Sequence, residues 1–156
     1  MRELSLSVSH SYDLVLYAFA RGREIGIDVE LVRQVPQGDE IAARFFTLRE
    51  QAAYLSLEER DRPHAFLRWW TCKEAYLKAT GAGLGGGLDA IDVALARDEP
   101  AKLVRVAGDG HEATRWSLTE LAPADAYLGA LVADGRELQP RCWHLPDARA
   151  CLGIGP

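Results

Sequence analysis

The fold prediction rests on two stretches, IGIDVELV at residues 25–32 and PHAFLRWWTCKEAYLKAT at residues 63–80. In the first, apolar side chains alternate with Gly26, Asp28 and Glu30, which predicts a β-strand with one apolar and one acidic face. The second has Pro63 at its start and Gly81 just after its end, which predicts a long helix. The chain therefore combines strands with a substantial helix.

The flanking segments contain further helices and strands. Thr47 and Glu50 have the spacing of a capping box, which predicts a helix over 48–57, and another helix precedes it over 39–45. Strands are predicted on both sides of the helical region, over 4–8, 14–20, 90–95, 102–106, 114–121, 127–133 and 141–145, with a hairpin turn at 21–24. This order is typical of an α+β fold, with a mainly antiparallel sheet packed against about three helices.

Composition limits the domain count, the partners and the compartment. We expect a single domain over residues 1–146 and a flexible tail over 147–156. The 156 residues carry 18 basic and 23 acidic side chains, and this net charge of −5 argues against binding to nucleic acid or an anionic membrane. Three cysteines without regular spacing predict neither a disulfide framework nor a zinc site. With no signal peptide and no membrane-spanning run, these features predict a cytoplasmic protein.

The long helix carries charged residues on its apolar side. At about 100° per residue, Phe66, Trp70 and Leu77 point in similar directions, and Lys73 and Glu74 fall within the same arc. An unpaired buried charge is strongly unfavourable, so we expect both side chains to have partners. An ordinary ion pair at the surface is the alternative for this motif taken alone.

The acidic strand suggests a cation site. Asp28 and Glu30 project from one face, with Cα atoms about 6.5–7 Å apart. Two carboxylates held this close repel each other, and a divalent cation removes the conflict. Ligands that are all oxygen favour a hard ion, so we predict Mg²⁺, with Mn²⁺ as an alternative, and Glu74 as the third ligand. A solvated acidic face is the alternative for the strand motif alone.

Three segments together resemble the 4′-phosphopantetheinyl transferase superfamily: GIDVE at 26–30, RFFTLRE at 44–50 and WWTCKEAYLKATGAGL at 69–84. SVSHS at 7–11 is similar to the Ser-His element of the surfactin-synthetase-activating type. Each segment alone is a weak signal, whereas the strand motif and the helix motif at this spacing are specific. The resemblance covers about residues 5–95 and, more loosely, the strands to about residue 133.

The resemblance implies an activity and a metal site. Members of this family move the 4′-phosphopantetheine arm of coenzyme A to a serine of an acyl or peptidyl carrier protein and release 3′,5′-ADP. Asp28, Glu30 and Glu74 would hold Mg²⁺ together with the coenzyme A pyrophosphate. Glu74 is the first choice of base for the serine proton, and Lys73 would stabilise the oxygens that gain charge.

The resemblance also implies contacts with the rest of coenzyme A. Lys73 and Lys78 would contact phosphates, and Ser9 and His10 would contact the 3′-phosphate. Glu50 corresponds to an acidic position near the metal in the family, in addition to its capping role. These roles are carried over by position from the family motifs.

Partners and alternatives follow from the same resemblance. The carrier protein should present an acidic helix, for which Arg44, Arg49 and Arg68 are candidate contacts; fatty-acid, polyketide and nonribosomal-peptide carriers are not distinguished. The chain matches one half of a two-half enzyme, so we expect a homo-oligomer with the site at its interface. A remnant that binds coenzyme A or carrier protein without turnover is the main alternative, and a metal-dependent phosphohydrolase is another.

Overall fold

The computed structural model describes residues 3–83, 87–96, 99–136 and 138–145, and it has the predicted α+β architecture. The strands are β1 (Leu4–Ser11), β2 (Leu14–Arg21), β3 (Ile25–Leu31), β4 (Ile91–Ala94), β5 (Lys102–Val106), β6 (Trp116–Leu121) and β7 (Tyr127–Asp134). The helices are α1 (Gly38–Phe45), α2 (Leu48–Leu55), α3 (Arg62–Thr80) and the single turn α4 (Gly110–Ala113). A short 3₁₀ turn, Leu88–Ala90, leads into β4.

Every strand pairing is antiparallel. The main sheet has the order β3-β7-β6, so β3 lies at its edge, while β1-β2 and β4-β5 form separate two-stranded sheets. The hairpin predicted at 21–24 was wrong, because β2 pairs with β1 and β3 pairs with β7. The strand predicted at 141–145 was also wrong, since these residues have no regular structure. Residues 146–156, which include the predicted tail, lie outside the described residues.

Helix α3 forms the centre of the molecule. Its start and end were predicted correctly, because Pro63 lies in the first turn and Gly81 closes the helix with a left-handed φ of 69°. The predicted capping box of Thr47 and Glu50 at α2 is also confirmed. Helix α3 is buried on most of its circumference, including Thr71, which the helical projection places opposite the apolar arc.

The strand β3 lies unusually close to α3 at Gly26. A Cβ atom at this position would lie 2.0 Å from the Ala75 carbonyl oxygen and 2.3 Å from the Ala79 nitrogen. Only glycine allows this approach of two backbones. Small residues on both elements therefore bring the acidic strand directly against the helix.

The β1–β2 hairpin has an apolar outer face, while its inner face carries the serines of β1 opposite Leu14, Leu16 and Ala18 of β2. Its exposed outer side chains are Leu4, Leu6, Val8, Val15, Tyr17 and Phe19. His10 belongs to the same outer row and lies opposite Val15. No helix in the described part of the chain is long and apolar enough to cross a membrane.

Candidate functional site

Asp28 and Glu30 of β3 meet Glu74 and Lys78 of α3, and we call these four residues the carboxylate cluster. Lys78 Nζ donates to Asp28 Oδ1 at 2.8 Å. Asp28 is only 6% exposed, whereas Glu30, Glu74 and Lys78 are half-buried. The close contact at Gly26 explains why these residues come together. Strand β3 packs against α3 at Ala75 and Ala79, and Glu74 and Lys78 directly precede these two residues.

The surroundings of the cluster disfavour negative charge. Burial raises the pKa of Asp28, although the Lys78 ammonium and the Ser9 hydroxyl oppose this. Burial, together with the neighbouring Asp28 carboxylate, raises the pKa of both Glu30 and Glu74. Three carboxylates therefore share one ammonium and repel each other, which is the conflict that a bound cation would relieve.

Two carboxylate oxygens of the cluster lack a partner. Asp28 Oδ2 and Glu74 Oε1 are buried and make no hydrogen bond with any described residue. Within the described ranges no group of three or more His, Cys, Asp or Glu side chains is arranged to hold a metal ion. The unpaired oxygens nevertheless have the chemistry that hard divalent ions prefer. The chemistry of this donor set therefore fits Mg²⁺.

Serine hydroxyls of β1 hold the cluster from the strand side. Ser9 Oγ donates to Asp28 Oδ1 at 2.9 Å, and Ser11 Oγ donates to Glu30 Oε2 at 3.0 Å. Ser9 is 6% exposed, so its hydroxyl is engaged inside the protein and is not presented to a phosphate. His10 points to the opposite, exposed face of the hairpin. The structure therefore does not bring Ser9 and His10 together for one 3′-phosphate within a single chain.

Lys73 and Glu50 form a second ionic group, which we call the sealed pair. Lys73 Nζ lies 2.6 Å from Glu50 Oε2, and neither side chain is more than 1% exposed. The ammonium also donates to the carbonyl oxygens of Ile91 at 2.6 Å, Leu88 at 2.8 Å and Phe45 at 3.4 Å. Burial lowers the pKa of Lys73 and raises that of Glu50, and each charge opposes the shift of the other.

The sealed pair lies apart from the carboxylate cluster. Lys73 is fully buried and contacts Glu50 and backbone carbonyl oxygens, whereas no hydrogen bond joins it to the carboxylate cluster, and its phosphate contact stays a prediction. Glu50 contacts Lys73 and the backbone N–H groups of Thr47 and Val93 instead of the cluster. The reason is that consecutive helix residues diverge by about 100°, which sends Lys73 and Glu74 to different sides of α3.

The three candidate arginines differ in availability. Arg68 makes two hydrogen bonds to Glu120, at 2.8 and 2.9 Å, and is therefore held by the fold. Arg49 is 62% exposed and lies 3.7 Å from Asp92. Arg44 packs over the Phe45 ring, 5.0 Å from its centroid. Arg44 and Arg49 remain the accessible candidates for a partner protein.

A family model for the 4′-phosphopantetheinyl transferase superfamily matches residues 24–132, which include β3, α3 and all of the carboxylate cluster. The chain belongs to this superfamily. The matched residues therefore include the acidic strand β3 and the central helix α3, which carry two of the sequence motifs.

Relatives in the superfamily are considerably longer. The 4′-phosphopantetheinyl transferase HetI of Nostoc sp. is 43% identical over 141 residues, which cover 90% of this chain and 56% of HetI. The transferase Sfp of Bacillus subtilis is 36% identical over 92 residues, covering 59% of this chain and 40% of Sfp. The chain therefore spans about half the length of these relatives.

Solved structures of similar fold include smaller proteins. A holo-(acyl-carrier-protein) synthase from Bacillus anthracis superposes with a TM-score of 0.57 at 22% identity, covering 71% of this chain and 94% of that one. The synthase of Thermotoga maritima gives a TM-score of 0.55 at 24% identity, covering 73% and 64%. At these identities the likeness concerns the fold.

Two serines of β1 that contact β3 escaped the sequence analysis. Ser7 and Ser11 were not assigned any role, although both contact β3. The available signal was the serine at every second position of LSLSVSHS, residues 4–11, which marks one face of a strand. Its partner strand is distant in sequence, so the pattern alone does not identify the contact.

Proposed function

We propose that this chain transfers the 4′-phosphopantetheine arm of coenzyme A to a serine of an acyl or peptidyl carrier protein and releases 3′,5′-ADP. The observation that carries the proposal is the carboxylate cluster with its two unpaired oxygens, located on the elements matched by the family model. One neighbour in fold, the Bacillus anthracis synthase, is a complex with coenzyme A (3′,5′-ADP). Family and site chemistry thus support one reaction.

The proposed metal is Mg²⁺, with Mn²⁺ as the alternative. Asp28, Glu30 and Glu74 would hold it, because they supply hard oxygen ligands in surroundings that disfavour their own charge. When bound, the ion would supply positive charge for pyrophosphate oxygens. Lys78, whose side chain is 32% exposed beside Asp28, is the candidate for a direct phosphate contact.

In the proposed reaction the carrier serine oxygen bonds to the β-phosphorus that bears pantetheine. The bond from this phosphorus to the oxygen of 3′,5′-ADP breaks, and the serine proton passes to a base. We assign the base role to Glu74, because its buried Oε1 has no partner among the described residues. Because Lys73 is held against Glu50 in this structure, we assign the direct phosphate contact to Lys78.

The outer face of the hairpin supports the further proposal of a homo-oligomer. Six large apolar side chains are exposed there beside His10, whereas monomers rarely expose apolar patches above a few hundred Å². A second copy against this face would bury it and would add residues around His10, where a 3′-phosphate contact remains a proposal.

The decisive assay combines the protein with coenzyme A, Mg²⁺ and a panel of apo carrier proteins. Mass spectrometry should detect carrier that has gained the pantetheinyl group. Glu74→Gln should abolish the adduct, while Glu58→Gln, an exposed control, should leave it unchanged. A Glu74→Gln variant as active as the parent would remove Glu74 from the mechanism.

A second candidate function is binding without turnover. The observation that favours it is the position of Lys73, which is sealed against Glu50, so that Lys78 supplies the ammonium beside the three carboxylates. Coenzyme A binding by calorimetry, combined with no adduct on any carrier, would support this alternative.

Light scattering tests the proposed homo-oligomer. Phe19→Glu, in the apolar outer face of the hairpin, should dissociate the oligomer, and a parent protein that is fully active as a monomer would contradict the proposal.

A further inference from the structure

The edge of the main sheet is closed by side chains instead of by a strand backbone. The N–H groups of Ile27, Val29 and Leu31 point away from β7, which pairs with the other side of β3. They donate to the hydroxyls of Ser7, Ser9 and Ser11, and the three lengths are 3.1, 3.3 and 3.2 Å. We call these three serines the serine ladder.

The match of β1 to β3 follows from strand geometry. Alternate residues of a strand are spaced by about 6.5–7 Å, so serines at every second position meet N–H groups at every second position. All three serines are nearly buried, with Ser9 at 6% and Ser11 at 7% exposed. The ladder therefore fixes the register of the hairpin against β3.

Two of the three hydroxyls also contact the carboxylate cluster. Ser9 donates to Asp28 Oδ1 and Ser11 donates to Glu30 Oε2, whereas Ser7 makes only the backbone contact among the described residues. An N–H donor already occupies one lone pair of each serine oxygen, which turns the hydroxyl proton toward the acid. Hydrogen bonds linked in this way polarise one another.

The contacts engage one oxygen of a carboxylate and leave the other available. Asp28 Oδ1 receives both Ser9 and Lys78, at 2.9 and 2.8 Å, while Asp28 Oδ2 is buried without a partner in the described structure. A carboxylate held by one oxygen keeps its orientation, because rotation would break both contacts. The free oxygen is thus fixed in direction before any ligand arrives.

We propose that Ser9 and Ser11 are positioning residues, which hold Asp28 and Glu30 with one oxygen of each carboxylate ready for a divalent cation. This inference rests on the proposed function, because it assigns the available oxygens to the metal of that reaction. Ser7 holds the same strands together and has no share in the metal site. The chain therefore contains its own matched control for separating support of the fold from support of the site.

Titration with Mn²⁺ alone, followed by electron paramagnetic resonance, tests the inference without coenzyme A or turnover. Groups that hold metal ligands in place typically contribute about 10–100-fold in metal affinity, so Ser9→Ala and Ser11→Ala should weaken Mn²⁺ binding at least about 10-fold. Ser7→Ala should leave the affinity within about 3-fold of the parent, since it removes only a backbone contact. Ser9→Thr, which keeps a hydroxyl, should retain most of the affinity.

Two further measurements make each outcome decisive. Urea unfolding of the Ser7→Ala and Ser9→Ala variants reports the fold, and if Ser9→Ala does not fold, Ser9→Cys keeps the volume with a weak donor. Equal Mn²⁺ affinities for the Ser7 and Ser9 variants would overturn the inference and leave the proposed function intact. A parent protein that binds neither Mn²⁺ nor Mg²⁺ would overturn both.

Discussion

The sealed pair and the carboxylate cluster lie on two sides of the same helix and differ in how completely their charges are matched. In the sealed pair, the Lys73 ammonium lies against the Glu50 carboxylate. The ammonium also donates to three carbonyl oxygens, and the carboxylate accepts hydrogen bonds from two backbone N–H groups. In the cluster, three carboxylates share the Lys78 ammonium and two oxygens have no partner in the described structure. A matched group supports the fold, whereas an unmatched one has capacity for a ligand.

The largest expected effect is the loss of the sealed pair by Lys73→Met. This change leaves the Glu50 carboxylate buried without its counter-charge, and breaking a buried pair in this way costs about 3–5 kcal/mol. Urea denaturation should show this loss of unfolding free energy. The double variant Lys73→Met with Glu50→Gln should recover a large part of it, because it removes the stranded charge.

Lys78→Met provides the contrasting measurement in the cluster. Its side chain is 32% exposed, so solvent screens the lost charge and the expected cost is about 1 kcal/mol or less. Equal losses for the Lys73 and Lys78 variants would contradict the distinction between a sealed and an open group.

The next effect concerns the distance between β3 and α3. Gly26→Ala would place a Cβ atom 2.0 Å from the Ala75 carbonyl oxygen, so the strand must move away from the helix. Overpacking of this kind typically costs about 1–3 kcal/mol, and here it should also weaken Mn²⁺ binding. Gly38→Ala is the control, since its nearest neighbour would be 3.4 Å away and its unfolding free energy should change by about 0.5 kcal/mol or less.

A smaller, stabilising effect is expected from Glu74→Gln without metal. Burial and the Asp28 carboxylate raise the folded-state pKa of Glu74 above its usual 4.5, so ionisation favours the unfolded chain. The parent should lose stability relative to the variant as pH rises through 4.5, with no difference below this value. Near neutral pH the melting temperature of the variant should therefore be higher than that of the parent, as a thermal unfolding series across pH would measure.

Added Mg²⁺ should reverse this order. The parent should gain thermal stability with the ion at neutral pH, whereas Glu74→Gln should gain little, because it lacks the third carboxylate. A variant that is less stable than the parent in chelator at neutral pH would contradict the repulsion within the cluster.

The smallest effect is expected from a change at Arg49, the residue before Glu50. Arg49 is 62% exposed and lies 3.7 Å from Asp92, so Arg49→Ala should change the unfolding free energy by about 0.5 kcal/mol or less. If Arg49 contacts the carrier protein, the same variant should raise the apparent KM for carrier and leave kcat unchanged. Arg68→Ala is unsuitable for this purpose, because it breaks the contact with Glu120.

Local sequence signals predicted most of the framework. The alternation of β3, the capping box at Thr47, Pro63 and Gly81 each act within a few residues, so the sequence alone identified the elements and their ends. The same signals predicted that Asp28 and Glu30 share a face. Family motifs then linked this strand to Glu74.

Contacts between distant elements were harder to predict. The helical projection placed Lys73 and Glu74 in one arc, but α3 is buried on most sides, so a wide arc does not define a single partner. The serine ladder joins strands about 20 positions apart through side chains, and no pattern within either strand predicts this contact. Residues 141–145 were assigned to a strand that does not form.

The serine ladder has a consequence for strand exchange. Because the hairpin is joined to β3 by hydroxyls and not by a backbone ladder, it can detach while the β3-β7-β6 sheet keeps all of its own pairing. Detachment uncovers a row of N–H groups along an edge strand, the type of surface to which an extended peptide adds. A hairpin donated by another copy could occupy that edge through the same three serines. The result would be a domain-swapped assembly held by the same hydrogen bonds.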